Sequence, residues 1–311
     1  MGANGTLLSQ IQCGKMLAQS GTSPNHRKHT RNRKPDSAMS RLSYLSALSF
    51  QGRDAGKFLQ NQLTVDVLGL APGAATLGAL CQPKGRVIAV LYVQRLDTDY
   101  RVICAATLAE ALLQRLRMFV FRDQVTIELL ADDPVFAHAR DTGPLPLAYD
   151  HVASDALEAG QVRARETQSG LAWLEPATSE QFLPQMLGLE PLGALSFRKG
   201  CYPGQEVVAR TRYLGKLKRQ PVLLKTTSAL PWSAGQTARL CGADASAQAV
   251  LIRQAPDGAH HWSLWVVRSA EQFSVSSIQE KAAEPEGAAS EAALETSGRW
   301  LLPHPAESDQ N

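Results

Sequence analysis

The stretch Arg198-Lys-Gly-Cys-Tyr-Pro-Gly-Gln-Glu-Val-Val-Ala-Arg210 sets the problem that the rest of the chain has to answer. Two glycines and a proline bracket Cys201 and Tyr202, basic residues stand at both ends, and Gln205 and Glu206 lead into what reads as a valine-rich strand. Two readings are open. In one, the stretch is a tight turn whose cysteine packs as a small hydrophobe. In the other, Cys201 is placed to react: a thiol reacts as its thiolate, and nearby cations such as Lys199 and Arg198 favour that form. Gly200 and Gly204 let a ligand approach the backbone. Tyr202 can stack on a flat ring, and Gln205 and Glu206 offer an amide and a carboxylate to ring nitrogens. A second loop, Cys81-Gln-Pro-Lys-Gly-Arg-Val87, has a similar character. It reads either as a hairpin turn with a basic edge or as a place where Lys84 and Arg86 meet an anionic tail.

The totals narrow the setting. A chain of 311 residues exceeds what one core comfortably holds, so two or three domains are expected. The net charge is +3, but residues 1–38 hold six basic residues and one acid, so residues 39–311 are net −2. A slightly acidic body argues against direct nucleic-acid binding. The longest strictly apolar run is the seven residues Val87–Val93, whereas a membrane helix needs roughly 20. The five cysteines are scattered and form no CxxC. That fits neither a disulfide framework nor a zinc site, so no metal is expected and a reducing compartment is the simpler setting.

Residues 1–38 lack a hydrophobic pattern and read as a disordered extension. The cytoplasm is the expected location, with an organelle matrix as the alternative if this Arg-rich leader is a transit peptide. Beyond it, "YLSALSF" predicts a strand, and "RDAGKFLQNQL" a helix with Asp54 as N-cap and Phe58, Leu59 and Leu63 on one face. "GRVIAVLYVQRL" and "YRVICAA" predict a hairpin. "TLAEALLQRLRMFVF" predicts a helix with a capping box from Thr107 to Glu110, and "QVTIELL" another strand. A weak helical piece falls near Ser154–Ala159, and "SEQFLPQMLGLE" reads as a short helix interrupted at Pro184. Helices mixed with hairpins give an α+β class. Past Gly215, short strands separated by turn residues suggest a small β-barrel over 216–275. A disordered insert at 276–296 and a last strand and tail at 297–311 complete the chain.

The opening stretch with its flanks, Phe197–Thr211, closely resembles the signature of the YgfZ family, Lys-Gly-Cys-Tyr-x-Gly-Gln-Glu. "QGRDAGKFLQNQLTVDV" (Gln51–Val67), "CQPKGRV", the segment Ser179–Glu206 and "YLGKLKR" (Tyr213–Arg219) resemble further blocks of that family, so the likeness covers most of Ser43–Arg219. The resemblance implies a fold like the T-protein of the glycine cleavage system, a ring of subdomains around a folate channel, here within 39–215. It implies tetrahydrofolate or a derivative as cofactor and a role in assembling or repairing iron–sulfur enzymes, including tRNA-modifying ones, as clients. Cys201 and Lys199 match the residues linked to activity. Tyr202, Gly204, Gln205, Glu206 and Arg210 of the motif, with Gln185, Lys84 and Arg86 of the flanking blocks, are the matching candidates for holding folate. The alternatives are a folate-dependent one-carbon transferase and a non-catalytic docking module. Three departures stand out. No catalytic aspartate block of the T-protein type is evident, which argues against aminomethyl transfer. Gln168-Ser169-Gly170 stands where the family reads Glu-Ala-Gly, with Glu166 two residues away as a substitute carboxylate. The stretch near 131–165 is short, as if one subdomain were trimmed.

Overall fold

The computed structural model describes residues 40–141, 143–269, 271–280, 292–293 and 299–301. The expected extension at 1–38 lies outside them.

Five antiparallel strands form the main sheet: β1 (Leu45–Gln51), β2 (Ala75–Cys81), β3 (Val87–Arg95), β4 (Tyr100–Ala105) and β5 (Thr126–Leu130), in the order β2-β3-β4-β1-β5. The apolar run Val87–Val93 is buried along its whole length in β3. It is buried on both faces, as a continuous apolar strand requires. Helix α1 (Ala55–Gln62) buries Ala55, Phe58 and Leu59, and α2 (Ala106–Arg117) buries Leu108, Ala109, Leu112, Leu113 and Leu116 on one stripe. A two-stranded sheet of β6 (Phe136–Ala139) and β7 (Leu147–Asp150) follows, then α3 (Ala159–Gln168). These two strands and the start of α3 occupy the stretch that looked trimmed.

Several local expectations are corrected. α2 starts one residue before the proposed capping box, with Ala105 at its N-cap and no side-chain cap. β4 runs straight into the helix, and the Tyr44 carbonyl accepts the Ala106 N–H at 2.9 Å, so the residue just before β1 supplies what a cap would have. The helix stops at Arg117, and Met118 and Phe121 are exposed beyond it. Asp54 does occupy the N-cap position of α1, but its carboxylate accepts the Gln124 N–H at 2.8 Å instead of capping. No helix forms at Ser154–Leu157, and only a single 3₁₀ turn, Pro184–Leu187, forms in the Pro-Gln segment. The valine-rich strand expected after Gly204 is a helix, α4 (Gln205–Leu214). Val207 and Val208 carry strand propensity, but only Val208 is buried, and the left-handed Gly204 (φ 82°) turns the chain into the helix.

The C-terminal sheet joins β8 (Gln220–Thr226), β9 (Thr237–Cys241), β10 (Ser246–Asp257), β11 (His260–Val267), β12 (Ser277–Glu280), β13 (Ala292–Ala293) and β14 (Arg299–Trp300) in the order β13-β12-β9-β10-β11-β8-β14. No strand pair among the described residues closes it into the expected barrel. β12 falls inside the stretch read as a disordered insert: Ser277–Glu280 pairs with Ala238–Cys241. Residues 281–291 of that stretch lie outside the described residues. Alternation along β11 divides two cores: Trp265 and Val267 join the small C-terminal core, while Leu264 and Val266 join the main one.

One buried carboxylate ties these parts together. Glu166 of α3, fully buried, accepts from Tyr44 Oη at 2.9 Å, Tyr149 Oη at 2.7 Å and Trp173 Nε1 at 2.9 Å, and pairs with Arg253 Nη2 of β10 at 2.8 Å. Burial disfavours the Arg253 charge, yet the Glu166 carboxylate more than offsets this, so Arg253 keeps its proton more firmly than usual. Burial and the same carboxylate push the Tyr44 and Tyr149 hydroxyls up. Glu166 is therefore saturated, which corrects the idea that it substitutes as a ligand-gripping carboxylate. No helix among the described residues is long and apolar enough to cross a membrane. Removing the hub leaves a guanidinium buried and unpaired, so Glu166→Ala is expected to lower stability by about 3–5 kcal/mol, read as a fall in the urea midpoint. Tyr149→Phe, which removes one hydrogen bond, should cost roughly 1–3 kcal/mol.

Candidate functional site

The two glycine-containing loops singled out in the sequence touch. Gly85 (φ 77°) sits in the turn joining β2 and β3, where its N–H donates to the Gln82 carbonyl at 2.8 Å. Gly204 lies so close that a methyl group on it would sit 2.6 Å from both the Gln82 oxygen and Gly85 Cα. Both glycines also hold positive φ, which L side chains rarely adopt. On the Gly204 side the contact is with backbone and leaves no room for a Cβ; on the Gly85 side a Cβ would be tight.

The chain leading into the signature is held from the other side. Thr64, fully buried, donates its hydroxyl to the Ala194 carbonyl at 2.7 Å and accepts the Ala79 N–H at 2.8 Å. Its carbonyl accepts the Ser196 N–H at 2.8 Å. Lys199 then reaches back to the C-terminal end of α1, where its ammonium donates to the carbonyls of Gln60 and, at 2.5 Å, Leu63. A cation there meets the negative end of the helix dipole and satisfies carbonyls left without helical partners. Burial lowers the Lys199 pKa to about 8, against the pull of Asp66 and Cys201, which favour the charged form. The same ammonium lies 5.1 Å from the Tyr202 ring centroid.

Cys201 itself is exposed. It is thus not a cysteine packed as a small hydrophobe. Tyr202 beside it is buried, and its hydroxyl has no hydrogen-bond partner among the described residues. Burial, and then the neighbouring Cys81, hold its proton on well above the ordinary range. Cys81 is buried too, its thiol pushed up to about 12, as in an inert packed cysteine. Gln185 in the 3₁₀ turn is buried and donates Nε2 to the Val208 carbonyl of α4 at 2.7 Å, while its Oε1 has no partner among the described residues.

The remaining candidates are peripheral. Gln205 opens α4, its N–H donating to the Tyr202 carbonyl at 3.2 Å. Glu206 in the first turn suits the positive end of that helix. Glu206, Arg210 and Lys84 are exposed, and their side chains make no hydrogen bond or ion pair among the described residues. Arg86 donates to the Gln181 carbonyl. Among the described residues no cluster of three or more His, Cys, Asp or Glu could hold a metal. Sequence reasoning missed Thr64, Gln60 and Ser196. They lie within the blocks Gln51–Val67 and Ser179–Glu206, but nothing local marks them out: the Thr64 and Ser196 side chains and the Gln60 carbonyl gain a role only from the long-range pairing of residues 60–64 with 194–199.

Gly204→Ala is expected to cost about 1–3 kcal/mol or more from overlap with backbone, and more than Gly85→Ala, whose added methyl would meet neighbours at 3.1–3.3 Å. Urea midpoints of the two variants check the order. Lys199 sets a pH signature: between about 8 and the ordinary 10.5, the unfolded chain holds more proton than the folded one, so stability attributable to this group rises with pH. Lys199→Met should lower stability at pH 7 and lose that rise, seen as a flatter plot of urea midpoint against pH.

A family profile described as the GCVT N-terminal domain matches residues 18–135. An uncharacterized protein of Haemophilus influenzae is 31% identical over 201 residues, covering 59% of this chain and 72% of its own length. Two proteins named tRNA-modifying protein YgfZ are similar as well. That of Klebsiella pneumoniae is 29% identical over 238 residues (62% of this chain, 72% of its own), and that of Colwellia psychrerythraea 26% over 228 residues (60% and 70%). The crystal structure of the glycine cleavage system aminomethyltransferase T from Bartonella henselae superposes with a TM-score of 0.58 at 15% identity, over 84% of this chain and 86% of that one. The chain thus belongs to the YgfZ family, which is related in fold to the T-protein of the glycine cleavage system.

Proposed function

We propose that this protein is a tetrahydrofolate-binding accessory factor for the assembly or repair of iron–sulfur enzymes, tRNA-modifying ones among them, and that it works in the cytoplasm. The observation that carries the reading is the interlock of Gly85 with Gly204, which holds the loop of exposed Cys201, together with two buried polar atoms, Tyr202 Oη and Gln185 Oε1, that have no partner among the described residues. A buried polar group without a partner costs about 1–3 kcal/mol. Tyr202 Oη, a donor, and Gln185 Oε1, an acceptor, are such groups, and the amide edge of a pterin carries complementary ones. These unmatched groups support the reading that the residues present suit the cofactor.

In this reading Tyr202 and Gln185 hold the pterin, and Gly204 and Gln205 bring backbone close to it. Glu206 and Arg210 on α4 and Lys84 and Arg86 on the β2–β3 turn form the charged rim, the cations favouring the glutamate carboxylates. Bound tetrahydrofolate supplies a reduced ring able to carry one-carbon units. Lys199 fixes the loop against α1, and Cys201 is the redox or transfer thiol offered to a client. A client-docking role for α4 is the second reading, favoured by Tyr213 and Leu214, which are 66% and 84% exposed at its end.

Calorimetric titration of the chain with tetrahydrofolate under reducing conditions tests the proposal. Saturable micromolar binding, roughly −8 kcal/mol, is expected, weakened by Lys199→Ala and kept by Cys201→Ser. Cys201→Ser should nonetheless fail to restore iron–sulfur enzyme activity in a strain lacking the protein. Absence of binding by a folded chain would leave the docking role. Steady-state turnover of a methylene or methyl folate would instead make it a one-carbon transferase.

A further inference from the structure

Three arginines from separate segments gather at one end of the C-terminal sheet. Arg86 leaves the β2–β3 turn and donates to the carbonyl of Gln181. The next residue, Phe182, has the Arg219 guanidinium 5.6 Å above its ring centroid. Arg219 immediately precedes β8, and Arg268 immediately follows β11. Gln220 and Val267 form the last pair of that antiparallel ladder, so the two arginines leave it at the same end. Burial, then Arg86, then Arg268 all work against the Arg219 charge. None of the three forms an ion pair with a carboxylate among the described residues. Like charges brought close together repel, and a guanidinium cannot relieve the conflict by losing its proton.

We propose that Arg86, Arg219 and Arg268 form a binding site for an oligoanion, a short chain carrying two or more phosphate or carboxylate groups. Guanidinium forks match both groups in plane and spacing. Three forks approaching from a turn and two strand ends exceed what one small anion can engage, which is the reason for a chain. Arg86 is one residue from the Gly85–Gly204 contact, so the site adjoins the loop that carries Cys201. Two sources share this chemistry, a condensed phosphate chain and a γ-linked glutamate chain. The inference does not rest on folate binding: tripolyphosphate binding by a chain that ignores tetrahydrofolate would leave it intact.

The test uses the full chain with tripolyphosphate and, separately, penta-γ-glutamate, by calorimetry and thermal unfolding at low and moderate salt. Saturable binding that weakens with salt is expected for at least one probe. Arg219→Gln and Arg268→Gln should each reduce affinity about tenfold or more. Each should also raise the Tm of the ligand-free chain while removing the Tm gain on adding the probe, a pairing that a merely structural arginine does not produce. Arg122→Gln, exposed after α2, is the control and should bind as the parent does. Binding of only one probe assigns the source. The proposal is overturned if neither probe binds, if Arg268→Gln binds unchanged, or if Arg122→Gln loses as much affinity as the other two.

Discussion

Everything in this fold is referred to a single buried carboxylate. Glu166 can accept about four hydrogen bonds, and it accepts four, from the residue before β1, from β7, from Trp173 and from β10. A buried ion pair is weak evidence of stability in itself, because desolvation offsets attraction. Its effect here is on arrangement: the four donors come from separate parts of the chain, and each must be in place for the carboxylate to be satisfied. The pairing of β10 with β11 shows how far the chain goes to meet this demand. The register shifts between Leu251 and Arg253. Without that bulge Arg253 would share the face of Leu251 and point into the small C-terminal core. The extra residue returns it to the main core, where Glu166 lies.

The candidate site is built by different means. Its loops are positioned by backbone approach and carbonyl acceptance rather than by a side-chain cluster. Gly204 against Gly85 fixes one end of the signature, and Thr64 with Lys199 fixes the other. Between the anchors Cys201 is exposed. A thiol on a rigidly seated turn keeps its orientation while remaining open to a partner, and rigid support beneath an exposed group is how loops come to carry function. Lys199, which the sequence offers as an electrostatic partner for the thiol, spends its hydrogen bonds on α1. Its charge still reaches Cys201, but its first consequence is mechanical.

How much of this the sequence disclosed depends on the range of each interaction. β1, the β3–β4 hairpin and the apolar stripe of α2 were legible because their signals are local periodicities. The ends of α2 were not, because its first N–H is satisfied by Tyr44, over 60 positions upstream in the chain. The segment after Gly204 was misread as a strand because two adjacent valines outweighed a turn whose left-handed glycine is set by contact with another loop. The site followed the same division. Cys201, Lys199 and the basic turn stood out by residue type and motif. Thr64 was illegible because an ordinary threonine becomes important only when residues 130 positions apart meet.

Comparing the polar groups of the hub with those of the site separates two uses of burial. Around Glu166 every charge and hydroxyl is matched, so the network locks and has nothing left to offer. Around the signature, Tyr202 Oη and Gln185 Oε1 are buried and unmatched, and each carries a desolvation cost that nothing in the fold offsets. A folded chain keeps a few such groups, and they invite explanation where they cluster. These two lie on elements joined by the bond from Gln185 to Val208, and α4, which contains Val208, begins three residues after Tyr202. The same logic holds for the three arginines at the end of β8 and β11, where the unmatched quantity is charge. Saturated groups show what the fold uses for itself, and the unsaturated ones at these two places are those that the proposed ligands would complete.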